Sequence, residues 1–141
     1  MSLYLDASAI IPTLVEEASS AALTDFLVSA DEPLVVGDLA AAEVASAVSR
    51  LVRMGLIETK VANGVLGAFD AWRESVTIGA DITTADFRQA GLFVRRFDLG
   101  LRAPDALHAA LCRRRDDSLV TLDKRLVVAA RALGVRLASP A

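Results

Sequence analysis

The sequence predicts a single α/β domain, in which helices cover both faces of a short parallel-stranded sheet. Short apolar segments alternate along the chain with longer segments whose apolar residues recur at helical spacing. Aspartates follow two of the apolar segments directly, at Asp6 and Asp123, and Asp105 opens a helix just after Pro104. No linker, repeat or low-complexity segment interrupts the chain, so one domain is expected over residues 1–141.

Five short apolar segments are predicted to form strands. The first of them, LYL, is apolar throughout, as expected for a parallel strand that is buried on both faces. The parallel arrangement follows from the helical segments between the strands, which provide the crossovers that parallel pairing requires. The predicted strands cover residues 3–5, 33–36, 76–78, 118–122 and 135–137.

The segments between the strands are predicted to be helices. Asp38 is expected to cap the long helix over residues 39–54, and Gly55 is expected to end it. Thr84 is expected to cap a later helix whose apolar face combines Phe87, Gly91, Val94 and Phe97. The other predicted helices follow Asp6, cover residues 16–30 and 58–74, follow Pro104, and run from Asp123 to Leu133.

The composition excludes several kinds of site. A single cysteine, Cys112, rules out an internal disulfide and a cysteine zinc site, and a single histidine, His108, rules out a histidine-rich metal site. The net charge of −3 gives no signal for nucleic acid over the whole chain, although local clusters of charge still can. The N-terminus lacks a secretory pattern and no apolar run is long enough to span a membrane, so a soluble cytoplasmic protein is expected.

Three aspartates are predicted to meet at one edge of the sheet. Asp6, Asp105 and Asp123 each lie where the chain enters a helix, and the carboxyl ends of parallel strands meet at one edge. Any one of them alone is explained as a helix cap or a first-turn acid. Their shared type of position favours a common site.

Glu43 supports that site because it lies inside the helix over residues 39–54 and caps nothing. Its neighbour Val44 belongs to the buried stripe, so Glu43 lies at the margin of that stripe. It is either a boundary residue whose carboxylate reaches water or a fourth acid directed over the sheet edge. Four carboxylates without histidine or thiol suit a hard divalent cation such as Mg²⁺ or Mn²⁺.

Other polar residues near these acids have weaker predicted roles. Ser8 and Thr121 could orient ligands or water, although ordinary turn and strand hydrogen bonding also explains them, Thr121 above all. Arg102, Lys124 and Arg125 could meet substrate phosphates and offset the acidic charge. His108, one helical turn beyond Asp105, is expected to be a packed helix residue, as is Cys112 on the same helix.

The whole chain resembles the PIN-domain ribonucleases, and among them the VapC toxins of bacterial toxin–antitoxin pairs. The resemblance rests on four motifs in a fixed order, which are DAS at Asp6, Glu43 in an alanine-rich helix, APDALHAA around Asp105, and LVTLD ending at Asp123. It implies that Asp6, Glu43, Asp105 and Asp123 form an acidic centre that binds Mg²⁺ or Mn²⁺, with Asp6 and Asp105 as the principal ligands.

The same resemblance implies partners and a substrate. It predicts an endoribonuclease that cuts single-stranded or loop RNA, forms a homodimer, and is silenced by a cognate antitoxin that covers the site. Ser8 and Thr121 match the hydroxyl residues that the family places beside the first and last acids.

Other functions remain open at this point. They are an RNA-processing PIN nuclease without an antitoxin, a non-catalytic module that binds RNA or protein, and a phosphatase with Asp6 as nucleophile. The phosphatase chemistry usually needs a second acid two residues later, where this chain has Ser8.

Overall fold

The computed structural model of the protein describes residues 1–140 and contains a four-stranded sheet in which every pair is parallel. The strand order is β3-β2-β1-β4, so the first strand of the chain lies in the interior of the sheet. The α/β prediction is therefore confirmed. The strands are β1 Leu3–Leu5, β2 Leu34–Val35, β3 Thr77–Ile78 and β4 Ser118–Val120.

Helices pack on both faces of this sheet, because successive side chains of a strand point to opposite sides. Tyr4 enters a core with residues of the later helices, whereas Leu3 and Leu5 enter a separate core with residues of the earlier ones. The helices are α1 Ile11–Leu14, α2 Ser20–Val28, α3 Asp38–Arg53, α4 Thr59–Val76, α5 Thr84–Val94, α6 Ala103–Arg115 and α7 Lys124–Ala132, with short 3-10 helices at Ala7–Ala9 and Phe97–Leu99.

Two predicted caps are wrong. Gly37 is the residue that precedes α3, and the Asp38 carboxylate instead accepts a hydrogen bond from Arg73 at 2.7 Å. Thr83, not Thr84, caps α5, because only Thr83 has an acid three residues later, Asp86, with which to form a reciprocal capping box.

The predicted apolar face of α5 is also wrong. The buried residues of this helix are Asp86, Ala90 and Phe93, while Phe87 is exposed and the helix ends before Phe97. Asp86 is buried because Arg114 and Thr83 hydrogen-bond its carboxylate, and this places Ala90 and Phe93 on the inner face.

The last predicted strand, over residues 135–137, is reduced to one parallel bridge between Leu119 and Leu137. The chain turns sharply at Gly134, which has a positive φ of 73°, and then passes along the free edge of β4. Within residues 1–140, no helix combines the length and apolar character needed to cross a membrane.

Candidate active site

Asp6 lies immediately after β1 at the carboxyl edge of the sheet, and its carboxylate is surrounded by hydrogen-bond donors. Oδ1 accepts from the Ser8 hydroxyl at 2.6 Å and from the Ala9 amide at 3.2 Å, while Oδ2 accepts from the Thr121 hydroxyl at 2.6 Å. Only 5% of Asp6 is exposed. Residues from the ends of the two adjacent strands β1 and β4 therefore hold one buried carboxylate.

The two hydroxyl groups also bind the backbone of the β4–α7 turn. Ser8 Oγ accepts from the Leu122 amide at 2.8 Å, and Thr121 Oγ1 accepts from the Asp123 amide at 3.1 Å. Since each hydroxyl has a single proton and both lie 2.6 Å from Asp6, both protons are assigned to that carboxylate. Ser8 and Thr121 thus position Asp6 and the turn that contains Asp123.

No lysine or arginine within residues 1–140 forms an ion pair with Asp6. Burial raises the pKa of Asp6 above its ordinary value, although hydrogen bonds from Ser8 and Thr121 act in the opposite direction. Within the described part of the chain, this buried carboxylate therefore has hydrogen-bond donors but no lysine or arginine as an ion-pair partner.

Glu43 projects from α3 toward α6, where its carboxylate hydrogen-bonds His108 Nε2. The other ring nitrogen of His108, Nδ1, lies 2.7 Å from the Tyr4 hydroxyl. Tyr4 and His108 are buried, whereas 31% of the Glu43 side chain is exposed. The predicted margin position of Glu43 is thus observed, and its carboxylate connects the interior to the surface.

Asp105 and Asp123 line one surface pocket together with three cationic residues. This pocket has a volume of 440 Å³. Asp105 comes from the first turn of α6, and Asp123 precedes α7. The cations are Arg102, Lys124 and Arg125.

Asp123 is both a helix cap and a residue of this pocket. Its Oδ1 accepts from the Arg125 amide at 2.9 Å and from the Leu126 amide at 3.3 Å, whereas Oδ2 accepts no hydrogen bond from residues 1–140. Asp105 accepts none with either oxygen from the same residues. Burial and the nearby charge of Asp123 raise the pKa of Asp105, and Glu43 raises it further, while Arg102 opposes them.

The four acids offer only oxygen donors, which suits a hard cation such as Mg²⁺. Within residues 1–140, however, no three side chains of His, Cys, Asp or Glu lie close enough together to ligate one ion. Mg²⁺ usually keeps several waters and binds proteins through one or two carboxylates. The pocket side chains Asp105 and Asp123, with unused carboxylate oxygens, fit such a hydrated ion, whereas an ion enclosed by four carboxylates does not fit this arrangement.

The family model of the PIN domain matches residues 3–132. The chain belongs to the PIN domain family. A search of curated protein sequences gives no significant match to this PIN domain.

Solved structures similar to this PIN domain share its fold over nearly the whole chain. VapC20 of Mycobacterium tuberculosis, described as a toxin that cleaves the sarcin–ricin loop, has a TM-score of 0.72 and 17% identity and covers 91% of this chain and 95% of its own. VapBC2 of Rickettsia felis, bound to a promoter DNA fragment, has a TM-score of 0.72 and 14% identity, and the match covers 99% of this chain and 98% of the VapBC2 chain. FitAcB of Neisseria gonorrhoeae has a TM-score of 0.66 and 19% identity, and the match covers 98% of this chain and 97% of the FitAcB chain. At these identities the likeness establishes the fold.

The PIN domain arranges the predicted residues in three connected groups. Asp6 lies with Ser8 and Thr121, Glu43 lies with His108, and the remaining acids share the pocket with the three cations. Sequence reasoning missed Tyr4, and it gave His108 only a packing role. The available signal was that the only histidine of the chain follows Asp105 by one helical turn.

Proposed function

We propose that this PIN domain is a Mg²⁺- or Mn²⁺-dependent endoribonuclease that hydrolyses RNA phosphodiesters. The observation that supports this most directly is the pocket in which Asp105 and Asp123 lie among Arg102, Lys124 and Arg125. Acids and cations side by side suit a substrate that is itself anionic and must approach other anions.

Each group of residues has a distinct part in this proposal. Asp105 and Asp123 would hold the ion, with Asp6 and Glu43 completing the acidic centre around its waters. A divalent ion in this place supplies an activated water and neutralises charge on the phosphate. Arg102, Lys124 and Arg125 bind the phosphates on either side of the scissile bond, and Ser8 and Thr121 keep Asp6 in place.

We further propose that the enzyme is the toxin of a type II toxin–antitoxin pair, since its fold matches VapC20 and the VapBC2 and FitAcB structures. An apolar groove of 540 Å³ between α1, α2 and α4 supports a protein partner. Leu14, Leu27, Val28 and Trp72 are among the residues that line it, and they suit the apolar face of an antitoxin helix. The homodimer is part of the same proposal, and the mass of the purified protein in solution tests it.

Incubating the protein with RNA and Mn²⁺, with and without a chelator, tests the nuclease activity. We expect cleavage that requires the metal and that Asp105→Asn abolishes, because this residue belongs to the pocket. Asp25→Asn is the control, because Asp25 is an exposed acid on α2, outside the pocket.

Four results would contradict parts of the proposal in different ways. Cleavage that continues in the presence of the chelator excludes the metal-dependent mechanism. Full activity in Asp105→Asn excludes the pocket as the catalytic site. If the protein binds RNA without cutting it, the alternative of a non-catalytic RNA-binding module is favoured. If a small DNA-binding protein encoded upstream fails to inhibit and co-purify with the enzyme, the RNA-processing alternative is favoured over the toxin.

A further inference from the structure

Three residues from different elements form a hydrogen-bonded chain that runs from the core to the acidic centre. Tyr4 comes from the interior strand β1, His108 from α6 and Glu43 from α3. We propose that His108 is a positioning residue, which Tyr4 holds in one tautomer so that Nε2–H fixes the Glu43 carboxylate beside Asp105. Its effect on catalysis rests on the proposed nuclease function, whereas the tautomer does not.

Hydrogen-bond accounting assigns the proton positions. In a neutral imidazole one nitrogen donates and the other accepts. Tyr4 is completely buried, and its hydroxyl has His108 Nδ1 as its partner at 2.7 Å. When the Tyr4 hydroxyl donates to Nδ1, the ring proton lies on Nε2 and is donated to the Glu43 carboxylate. The Tyr4 hydroxyl and both ring nitrogens of His108 then each have a hydrogen-bond partner.

The opposite tautomer leaves hydrogen-bonding groups of Tyr4 and His108 without partners. A proton on Nδ1 would point at the Tyr4 oxygen, and the buried Tyr4 O–H would then lack an acceptor among the described residues, which is costly. Nε2 would become an acceptor facing Glu43, whose carboxylate has no proton to donate when ionised.

The location of His108 connects this chain to the other acids. His108 lies three residues after Asp105 on α6, so both side chains face the same side of the helix. The Glu43 carboxylate is close enough to Asp105 to act on the pKa of that residue, which it raises. The direction of the Glu43 carboxylate therefore affects the negative charge around Asp105.

Glu43 needs such a partner because its side chain is long and partly exposed. A glutamate with several rotatable bonds loses rotamer freedom when it is fixed, and without an anchor its carboxylate turns toward water. The bond from His108 is the only hydrogen bond that the Glu43 side chain makes within residues 1–140. Groups that orient metal-binding carboxylates typically change metal affinity about 10- to 100-fold when mutated.

Nuclear magnetic resonance of the full chain labelled with ¹⁵N-histidine tests the tautomer directly. His108 is the only histidine in the sequence, so a protein with a histidine-free tag gives an unambiguous assignment of both ring nitrogens. In spectra recorded at a pH where the ring carries a single proton, we expect that proton on Nε2 and none on Nδ1. We also expect Tyr4→Phe, which keeps the ring and removes the hydroxyl, to shift the Nδ1 resonance. A singly protonated ring with its proton on Nδ1 would overturn the proposal.

Matched substitutions test the positioning role. His108→Gln keeps an N–H at about the reach of Nε2, whereas His108→Asn is too short to reach Glu43. Cys112→Ala is the control, since Cys112 is buried one turn further along α6 and contributes only packing. The readouts are Mn²⁺ affinity by calorimetry, thermal stability, and separate kcat and KM values for RNA.

We expect His108→Asn to weaken Mn²⁺ binding about tenfold and to lower kcat more than it raises KM. His108→Gln should recover much of the affinity, and Cys112→Ala should lose stability while it binds Mn²⁺ normally. Wild-type Mn²⁺ affinity in His108→Asn would overturn the positioning role. If His108→Asn does not fold, Tyr4→Phe takes its place, with a smaller loss of affinity expected and unchanged affinity counting against the role. A wild type that neither cuts RNA nor binds Mn²⁺ refutes the proposed function, while the nitrogen assignment still decides the tautomer.

Discussion

Asp6 and Asp86 are both buried aspartates at the start of a helix, with 5% and 2% of each residue exposed, yet their surroundings differ. Asp86 receives two hydrogen bonds from the Arg114 guanidinium, at 2.7 and 3.0 Å, and one from the Thr83 amide at 2.8 Å. Asp6 receives hydrogen bonds only from hydroxyls and one amide. One buried carboxylate has an internal cation, and the other does not.

The pKa shifts of the two residues follow this difference. Burial acts to raise the pKa of Asp86, but the hydrogen bonds from Arg114 and Thr83, together with the charge of Arg114, outweigh it and lower the pKa. Burial raises the pKa of Asp6, and no arginine opposes it. Asp86 therefore stabilises the packing of α5 on α6, whereas Asp6 has no arginine or lysine partner within residues 1–140, which agrees with the proposed cation site.

Removing the charge of Asp6 should have the largest effect on activity. In Asp6→Asn the amide oxygen can still accept from Ser8 and Ala9, and the Thr121 hydroxyl, which loses its acceptor, lies 3.1 Å from Ser8 Oγ. We therefore expect the melting temperature in chelator to stay close to that of the wild type. We expect kcat/KM for RNA to fall at least about 100-fold, as when one electrostatic contributor to a transition state is lost. Cleavage assays in Mn²⁺ and melts in chelator measure the two effects, and retained cleavage would refute a catalytic Asp6.

Asp86→Asn should show the reverse pattern, with lower stability and unchanged activity. Loss of the charged hydrogen bonds to Arg114 should cost about 2 kcal/mol at pH 7. Because the folded-state pKa is lowered, this stability is present above the ordinary value of 3.8 and is lost as the pH falls through the folded-state pKa. Denaturant unfolding at several pH values measures it.

The control for this prediction is Asp98→Asn, which breaks the exposed ion pair with Arg96. Exposed pairs contribute little, so we expect no measurable change in its free energy of unfolding. A difference between Asp86→Asn and the wild type that persists unchanged at pH 2 would show that Asp86 contributes through packing and not through its charge.

Asp123 should give the smallest effect, since it combines a cap with an unpaired oxygen. Asp123→Ala should cost about 1 kcal/mol through loss of the cap, whereas Asp123→Asn should keep the cap. In chelator we expect Asp123→Asn to melt at or above the wild type. In excess Mn²⁺ we expect Asp123→Asn to melt below the wild type. The wild type binds the metal more tightly and is therefore stabilised more by it. Melting curves that keep the same order in both conditions would leave Asp123 as a cap only.

The sequence predicted the elements and edges of this fold well, because these depend on local signals. Apolar LYL and SLV are strands, with Asp6 directly after the first and Asp123 three residues after the second. The positions of both acids beyond strand ends therefore followed from the alternation of strands and helices. The error at Thr84 was also local, since the acid at Asp86 already favoured Thr83 as the cap.

The partners of buried polar side chains could not be predicted in this way. Periodicity placed Glu43 at the margin of a helix face, but it says nothing about a histidine 65 positions later. His108 was expected to be a packed residue, and its burial agrees with that. Its bond to Tyr4 depends on how α6 lies across β1, which only the tertiary structure determines. For the same reason the sequence could not show which side chains accompany each acid, namely Ser8 and Thr121 at Asp6, His108 at Glu43, and the cations of the pocket at Asp105 and Asp123.

The hydrogen bond between Asp6 and Thr121 joins residues 115 positions apart and has a consequence for biosynthesis. At about 5–20 residues per second, roughly 6 to 23 s of translation separate the two residues. The interior strand β1 also pairs with β4, so contacts of long sequence separation must form before the acidic edge exists. A nascent or truncated chain that lacks β4 cannot assemble the proposed nuclease, so the proposed activity requires chains that extend through β4 and Asp123.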